Sequence, residues 1–305
     1  MDSQASENDG SSVLVRSPSV AGRFYPGNAI ELEKNIRSYL QRDEQQPEQR
    51  DQGNILGFML PHAGYVFSGA VAGQTLAYIY KQARLPQKIV LLGPSHTGHG
   101  APLSVWPGGV WRSPLGDVQV DADFCSELVT ESQTLSAGFT ADTKGHLGEH
   151  ALEVILPFVQ VLDPHIKIIP VTVRNYNLQQ LHDAGVLLAK IIARRTDLGE
   201  NICMIASSDM SHFLPHEENM KADELALAPL ANLDPVNLFK TVAANKISMC
   251  GFAAVTMMLF AANALKADQC CITAHTSSGL TGRAFGADMS RVVGYAGAVI
   301  SAAAQ

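Results

Sequence analysis

The sequence predicts an α/β fold, a central and mostly parallel sheet flanked by helices, and three stretches predict it. ILGFML (55–60), KIVLL (88–92) and NICMIASSD (201–209) are short apolar runs, the pattern of strands buried on both faces. Each runs into a polar loop with a histidine: Pro61-His62-Ala63-Gly64-Tyr65, GPSHTGHG (93–100) with His96 and His99, and Met210-Ser211-His212. Ligands of open α/β sheets gather at the carboxyl ends of the strands. GPSHTGHG and its two counterparts therefore mark the candidate functional edge.

Composition narrows the classes. The 305 residues suffice for one large α/β domain or two ordinary ones. A net charge of −7 lacks the basic stripe that nucleic acid requires. The most apolar region, 250–265, is interrupted by Gly251, Thr256 and Asn263 and is too short to span a membrane. The N-terminal DSQASENDGSS is polar and acidic, unlike a signal peptide. Five cysteines, an odd number without a regular framework, fit a reducing compartment, and the expected location is the cytoplasm.

Taken in order, residues 1–13 are polar and small and are expected to be a disordered tail before one domain from 14 to 305. RSPSVAGRFYP (16–26) lies across a surface, with Phe24 and Tyr25 as its aromatic pair. Ile30, Leu32, Ile36 and Leu40 set a helix over 28–41, and RDEQQPEQRDQG after it reads as a solvated loop. A second helix follows the first strand, with Ser68 as its expected N-cap. Residues 101–123 carry turn signals at Pro107-Gly108-Gly109 and Pro114-Leu115-Gly116, which suggests a hairpin near the site. Trp106 and Trp111 in it are more naturally packing residues than a pocket wall. A helix is expected over 122–133, a strand over 166–173 and an amphipathic helix over 178–195. Residues 220–245 read as helical with breaks at Pro229 and Pro235, then an apolar helix over 252–265 and two closing strands, 270–278 and 291–300.

Several residues carry chemistry. His146-Leu147-Gly148-Glu149-His150 matches H-x-x-E-H, the inverted zinc-peptidase pattern. Lys144-Gly145 before it and Gly148 within it argue for a loop, with the helix starting near His150 and ending at Pro157. Asp209 and His212, three apart, suit an acid–base or hydrogen-bonded pair, and Asp209 as a simple helix N-cap fits the local sequence equally well. Cys250 stands at a helix N-terminus, where thiolate chemistry or metal ligation is favoured and inert burial is the common alternative.

The series VAGRFYP, PHAGYVFSG, LGPSHTG, SPLGDVQVD, EHALEVILPF, SSDMSHF and MCGF, in this order, resembles the Memo family in its prokaryotic form. The resemblance implies a single α/β domain similar to class III extradiol dioxygenases. It implies a cleft metal, iron or copper with zinc as a further candidate, held by His62, His96 and Cys250. Asp209 and His212 would line the cleft as catalytic groups, and Phe24, Tyr65 and His150 would face the substrate. Family partners include phosphorylated peptides, for the animal member, and a radical-SAM protein in prokaryotes. The dioxygenases use a carboxylate where this chain has Cys250, and a thiolate favours softer ions and removes the facial triad suited to oxygen-activating iron. Three functions follow as expectations: a redox metalloenzyme, a binding module for an anionic partner, and a metal-dependent hydrolase using His146, Glu149 and His150.

Overall fold

The computed structural model describes residues 13–41, 53–80, 85–136, 138–174 and 176–303. The tail expected over 1–13 and the loop after Gln41 lie almost wholly outside the described residues.

The N-terminal strand β1 (Val15–Arg16) leads to helix α1 (Ala29–Leu40), where the Asn28 side chain accepts from the Ile30 and Glu31 amides. Next come β2 (Asn54–Leu60), α2 (Tyr65–Tyr80) and β3 (Lys88–Pro94). Helix α2 begins three residues before Ser68, whose hydroxyl donates back to the Ala63 carbonyl from inside the first turn. The expected cap at Ser68 is thus corrected. β4 (Leu103–Val105) is followed by a hairpin of β5 (Val110–Ser113) and β6 (Gly116–Gln119), then α3 (Ala122–Glu131), capped by Asp121, and β7 (Thr140–Ala141).

Residues 146–155 form irregular turns. The helix α4 (Leu156–Leu162) starts with Pro157 in its first turn instead of ending there, a position where proline loses no hydrogen bond. β8 (Lys167–Val173), α5 (Leu178–Asp197) and β9 (Ile202–Ser207) match the sequence reading closely. β10 (His212–Leu214) and α6 (His216–Ala231) follow, the helix passing through Pro229 and ending before α7 (Pro235–Ala244). α8 (Phe252–Ala264), β11 (Gln269–Ser277), α9 (Ser278–Thr281) and β12 (Val292–Ala302) close the chain.

One nine-stranded sheet runs β10-β12-β2-β9-β3-β8-β4-β7, with β11 on β12, and a small second sheet joins β1, β5 and β6. The four central strands β2, β9, β3 and β8 are parallel, whereas β10, β11 and β12 on one side and the β4–β8 pair on the other are antiparallel. "Mostly parallel" therefore holds for the centre of the sheet alone. Helix α2, with α1 and α4, forms one covering layer, and α8, with α5 and α7, forms another. The central strands are buried along nearly their whole length, as parallel strands under two helical layers must be. No helix among the described residues is long and apolar enough to cross a membrane.

Candidate metal site

The strand ends after β2 and β3 deliver His62 and His96 to one place, and the turns before α4 add His150. Their rings stand 5.2 Å (His62–His96), 5.5 Å (His62–His150) and 4.6 Å (His96–His150) apart, centroid to centroid. One nitrogen from each falls within 4.8 Å of the others, a spread that small rotations bring to metal-bonding distance. His62 is buried, His150 is half-buried and His96 is open to solvent, so the cluster is reached from the His96 side.

The hydrogen bonds choose which nitrogen each ring presents. Ser207 Oγ donates to the Ala151 carbonyl at 2.7 Å, so it accepts from His62 Nδ1–H, also at 2.7 Å. His62 Nε2 then carries the lone pair. His96 Nδ1 lies 2.9 Å from Glu149 Oε1, which leaves its Nε2 free in the same way. This is the arrangement in which a ligating histidine gives its other ring N–H to an acceptor that fixes tautomer and orientation. Glu149 is itself held by the His150 amide at 2.8 Å and the Ala151 amide at 2.9 Å, and by the His96 amide.

Cys250 Sγ stands 3.3 Å from His62 Nε2. Donor atoms around a tetrahedral ion, with bonds of about 2.0–2.3 Å, are roughly 3.3–3.7 Å apart. The thiol thus suits a shared ion with His62. Gly251 permits this approach, because a Cβ there would lie 2.2 Å from the Ser207 carbonyl. Burial and the neighbouring Asp209 push the Cys250 thiol well up. The expectation that a helix N-terminus lowers it is overturned: desolvation outweighs the helix end.

Electrostatics divide the cluster. Burial holds His62 well below the ordinary imidazole range, with His96 and His150 adding repulsion. Burial also lowers His150. At His96 burial works the same way, but its hydrogen bond and attraction to Glu149 outweigh it and raise the imidazole. Glu149 goes down to about 2, since the His96 hydrogen bond and charge overcome its own desolvation.

Asp209 Oδ1 accepts the His62 amide at 2.8 Å, and burial raises its carboxyl despite that bond. His212 Nδ1 faces the Ser248 carbonyl at 2.8 Å, so Nδ1 carries the proton and Nε2 is free. Asp209 and His212 thus have separate partners and share no direct hydrogen bond among the described residues. Their loop is fixed from below. Asp223, fully buried on α6, accepts the Ser211 amide at 2.8 Å and the Ser211 hydroxyl, and its other oxygen lies 3.2 Å from His275 Nε2.

Phe24 meets the His150 ring edge-on at 5.0 Å. Tyr65 turns away from the cleft: it is buried, donates to the Val154 carbonyl at 2.8 Å and packs on Phe158 at 4.9 Å. Its role as a substrate contact is corrected to that of a core residue.

His146 is also a core residue. Its ring is fully buried between Trp106 and Trp111, 5.9 and 5.6 Å away, and its Nε2 donates to the Ser104 carbonyl. Burial holds it at about 3. His146 and His150 share no helical face, so the H-x-x-E-H hydrolase reading falls. Arg16 ties the same turns to the N-terminus, pairing with buried Glu153 and donating to the His146 and Glu149 carbonyls.

A family model described as "Memo-like protein" matches residues 16–299. The chain belongs to the Memo family. Relatives called MEMO1 family proteins are similar over nearly their whole length. That of Sulfurisphaera tokodaii is 35% identical over 92% of this chain and 98% of its own. That of Ignicoccus hospitalis is 36% identical over 93% and 98%, and that of Methanobrevibacter smithii 34% over 94% and 99%. The Memo-family match takes in each of His62, His96, His150, Asp209, His212 and Cys250. The sequence reading placed His150 on the substrate; the geometry adds it to the group that can hold the ion.

Proposed function

We propose that this Memo-family protein is a redox metalloprotein in which His62, His96 and His150, with Cys250 beside His62, hold iron or copper. The observation that carries the reading is the pairing of both Nδ1 atoms: Ser207 holds His62 and Glu149 holds His96, each leaving Nε2 to serve as the ligand atom. A bound ion of this kind would supply one-electron chemistry. Beside it, the free Nε2 of His212 accepts or returns a proton, while Asp209 holds the His62 backbone and supplies a raised carboxyl. The borderline and soft donors suit copper at least as well as iron.

The test is elemental analysis of protein purified without chelators, for wild type beside His62→Ala, His150→Ala and Cys250→Ser. Close to one iron or copper per chain, lost in His62→Ala, is the expected result. Loss in His150→Ala with retention in Cys250→Ser assigns the third position to the imidazole, and the reverse assigns it to the thiolate. A wild type that neither carries nor takes up iron or copper removes the proposal.

A further inference from the structure

Asn219 and Asp223 lie one turn apart on α6, so both side chains leave the same face of the helix. The helix packs on β11 and β12, and both residues are fully buried. One oxygen of Asp223 is committed to the Ser211 amide and hydroxyl, and Asn219 Nδ2 donates to the Ser211 carbonyl at 2.8 Å. The other end of each group has a different setting. Asp223 Oδ2 faces His275 Nε2 on β11 at 3.2 Å, and Asn219 Oδ1 is buried without a hydrogen-bond partner among the described residues.

Gly294 on β12 gives these two oxygens a shared notch. A Cβ there would lie 1.8 Å from Asp223 Oδ2 and 2.9 Å from Asn219 Oδ1. Both oxygens therefore border one point, which glycine alone leaves clear. A buried acceptor without a donor is costly, and this one stands beside a buried carboxylate. Two acceptors thus converge where negative charge already sits, and a cation is the group that satisfies both.

We infer that Asp223 Oδ2, Asn219 Oδ1 and His275 Nε2 hold a divalent transition-metal ion, separate from the histidine cluster. Donors that share a tetrahedral ion are roughly 3.3 Å apart, which the His275–Asp223 contact matches when Nδ1 carries the imidazole proton. One imidazole with two oxygens suits zinc or manganese better than a soft ion. His275 is the part-exposed member, 17% open to solvent, and gives the ion its way in. The ion clamps α6 to β11 and, through the other Asp223 oxygen, steadies Ser211 and the start of β10 at His212. No residue of the histidine cluster takes part, so this site stands whether or not that cluster binds metal.

Calorimetric titration with zinc tests it, on chelator-stripped protein carrying His62→Ala and His96→Ala, in which the cluster is disabled. This parent variant should take up close to one zinc per chain. Adding His275→Gln keeps a donor for Asp223 but removes the imidazole. It should weaken binding by about 100-fold, the upper end of what the loss of a metal's supporting partner costs, with an unchanged unfolding temperature in metal-free buffer. Zinc should raise the unfolding temperature of the parent variant and leave that of the His275→Gln protein where it was; a histidine that only pairs with Asp223 would not give this difference. In wild-type protein, whatever the variants do, the His275 imidazole NMR signals should move with zinc. No uptake by the parent variant would overturn the assignment. So would uptake retained by His275→Gln, which puts the zinc elsewhere, as on the surface pair His182 and Asp183. Unmoved His275 signals in wild type at saturating zinc would overturn it as well.

Discussion

Glu149 holds His96 at two points, taking the imidazole Nδ1 at 2.9 Å on one oxygen and the backbone amide on the other. A single carboxylate therefore sets both where His96 starts and which nitrogen it shows. Glu149→Gln keeps the shape but removes the charge. It should lower metal affinity by about 10–100-fold while stoichiometry at saturating metal is unchanged. Competition against a chelator of known affinity measures this. Wild-type affinity would mean that Glu149 only shapes the loop.

His146 gives the pH dependence. The ordinary imidazole takes its proton near 6.5, whereas burial holds His146 at about 3. Between those values the unfolded chain binds a proton that the folded protein excludes, so stability falls as the pH falls through that window. The limit is about 1.4 kcal/mol per pH unit. Urea unfolding at pH 7 and pH 4.5 should show wild type losing about 2–3 kcal/mol more than His146→Gln, which keeps a donor for the Ser104 carbonyl but does not titrate. Parallel losses in the two proteins would refute it.

The Arg16–Glu153 pair is buried at both ends, with relative exposures of 1% and 0%. Glu153 also accepts from the Ser19 amide and hydroxyl, the Val20 amide and the Tyr25 hydroxyl. Arg16→Met should cost about 3–5 kcal/mol by stranding the carboxylate. Arg16→Met with Glu153→Gln should recover part of that loss in thermal unfolding. A double variant no more stable than the single one counts against this account.

Gly294 leaves room for Asp223. A Cβ on residue 294 would lie 1.8 Å from Asp223 Oδ2, and that carboxylate is held in place by the Ser211 amide and hydroxyl on its other oxygen. Gly294→Ala should destabilise by about 1–3 kcal/mol, as overpacking does. It should also disturb the His212 imidazole signals in an NMR spectrum, because Ser211 adjoins His212. Unchanged His212 signals would show that the loop has some other anchor.

His62 and His96 were legible because strand ends of an α/β sheet have a known use, and both follow uninterrupted apolar runs. His150 was not legible from spacing. It sits in turns broken by Gly148 at φ 74°, with no period to project it on the cleft. Tyr65 follows the same histidine loop as the cleft residues, yet one helical turn decides whether a side chain faces out or in, and its helix began earlier than the sequence suggested. The Cys250 thiol shows the limit of local rules: the helix end it tops is present, but the desolvation around it appears only when β9 and α8 meet. The parallel centre could be read from apolar runs. The antiparallel margins could not, since β10 and β11 are short or half-buried and carry a weaker pattern.

The tie between Arg16 and Glu153 spans 137 residues. During synthesis the N-terminal segment leaves the ribosome long before the turns that receive it exist. At about 5–20 residues per second it waits roughly 7–27 s for Glu153 to be made. Phe24, which rests on His150, shares that wait. That side of the histidine cluster is therefore assembled late, from a segment made well before its partner, and is set in place only after the first two histidine loops have been built.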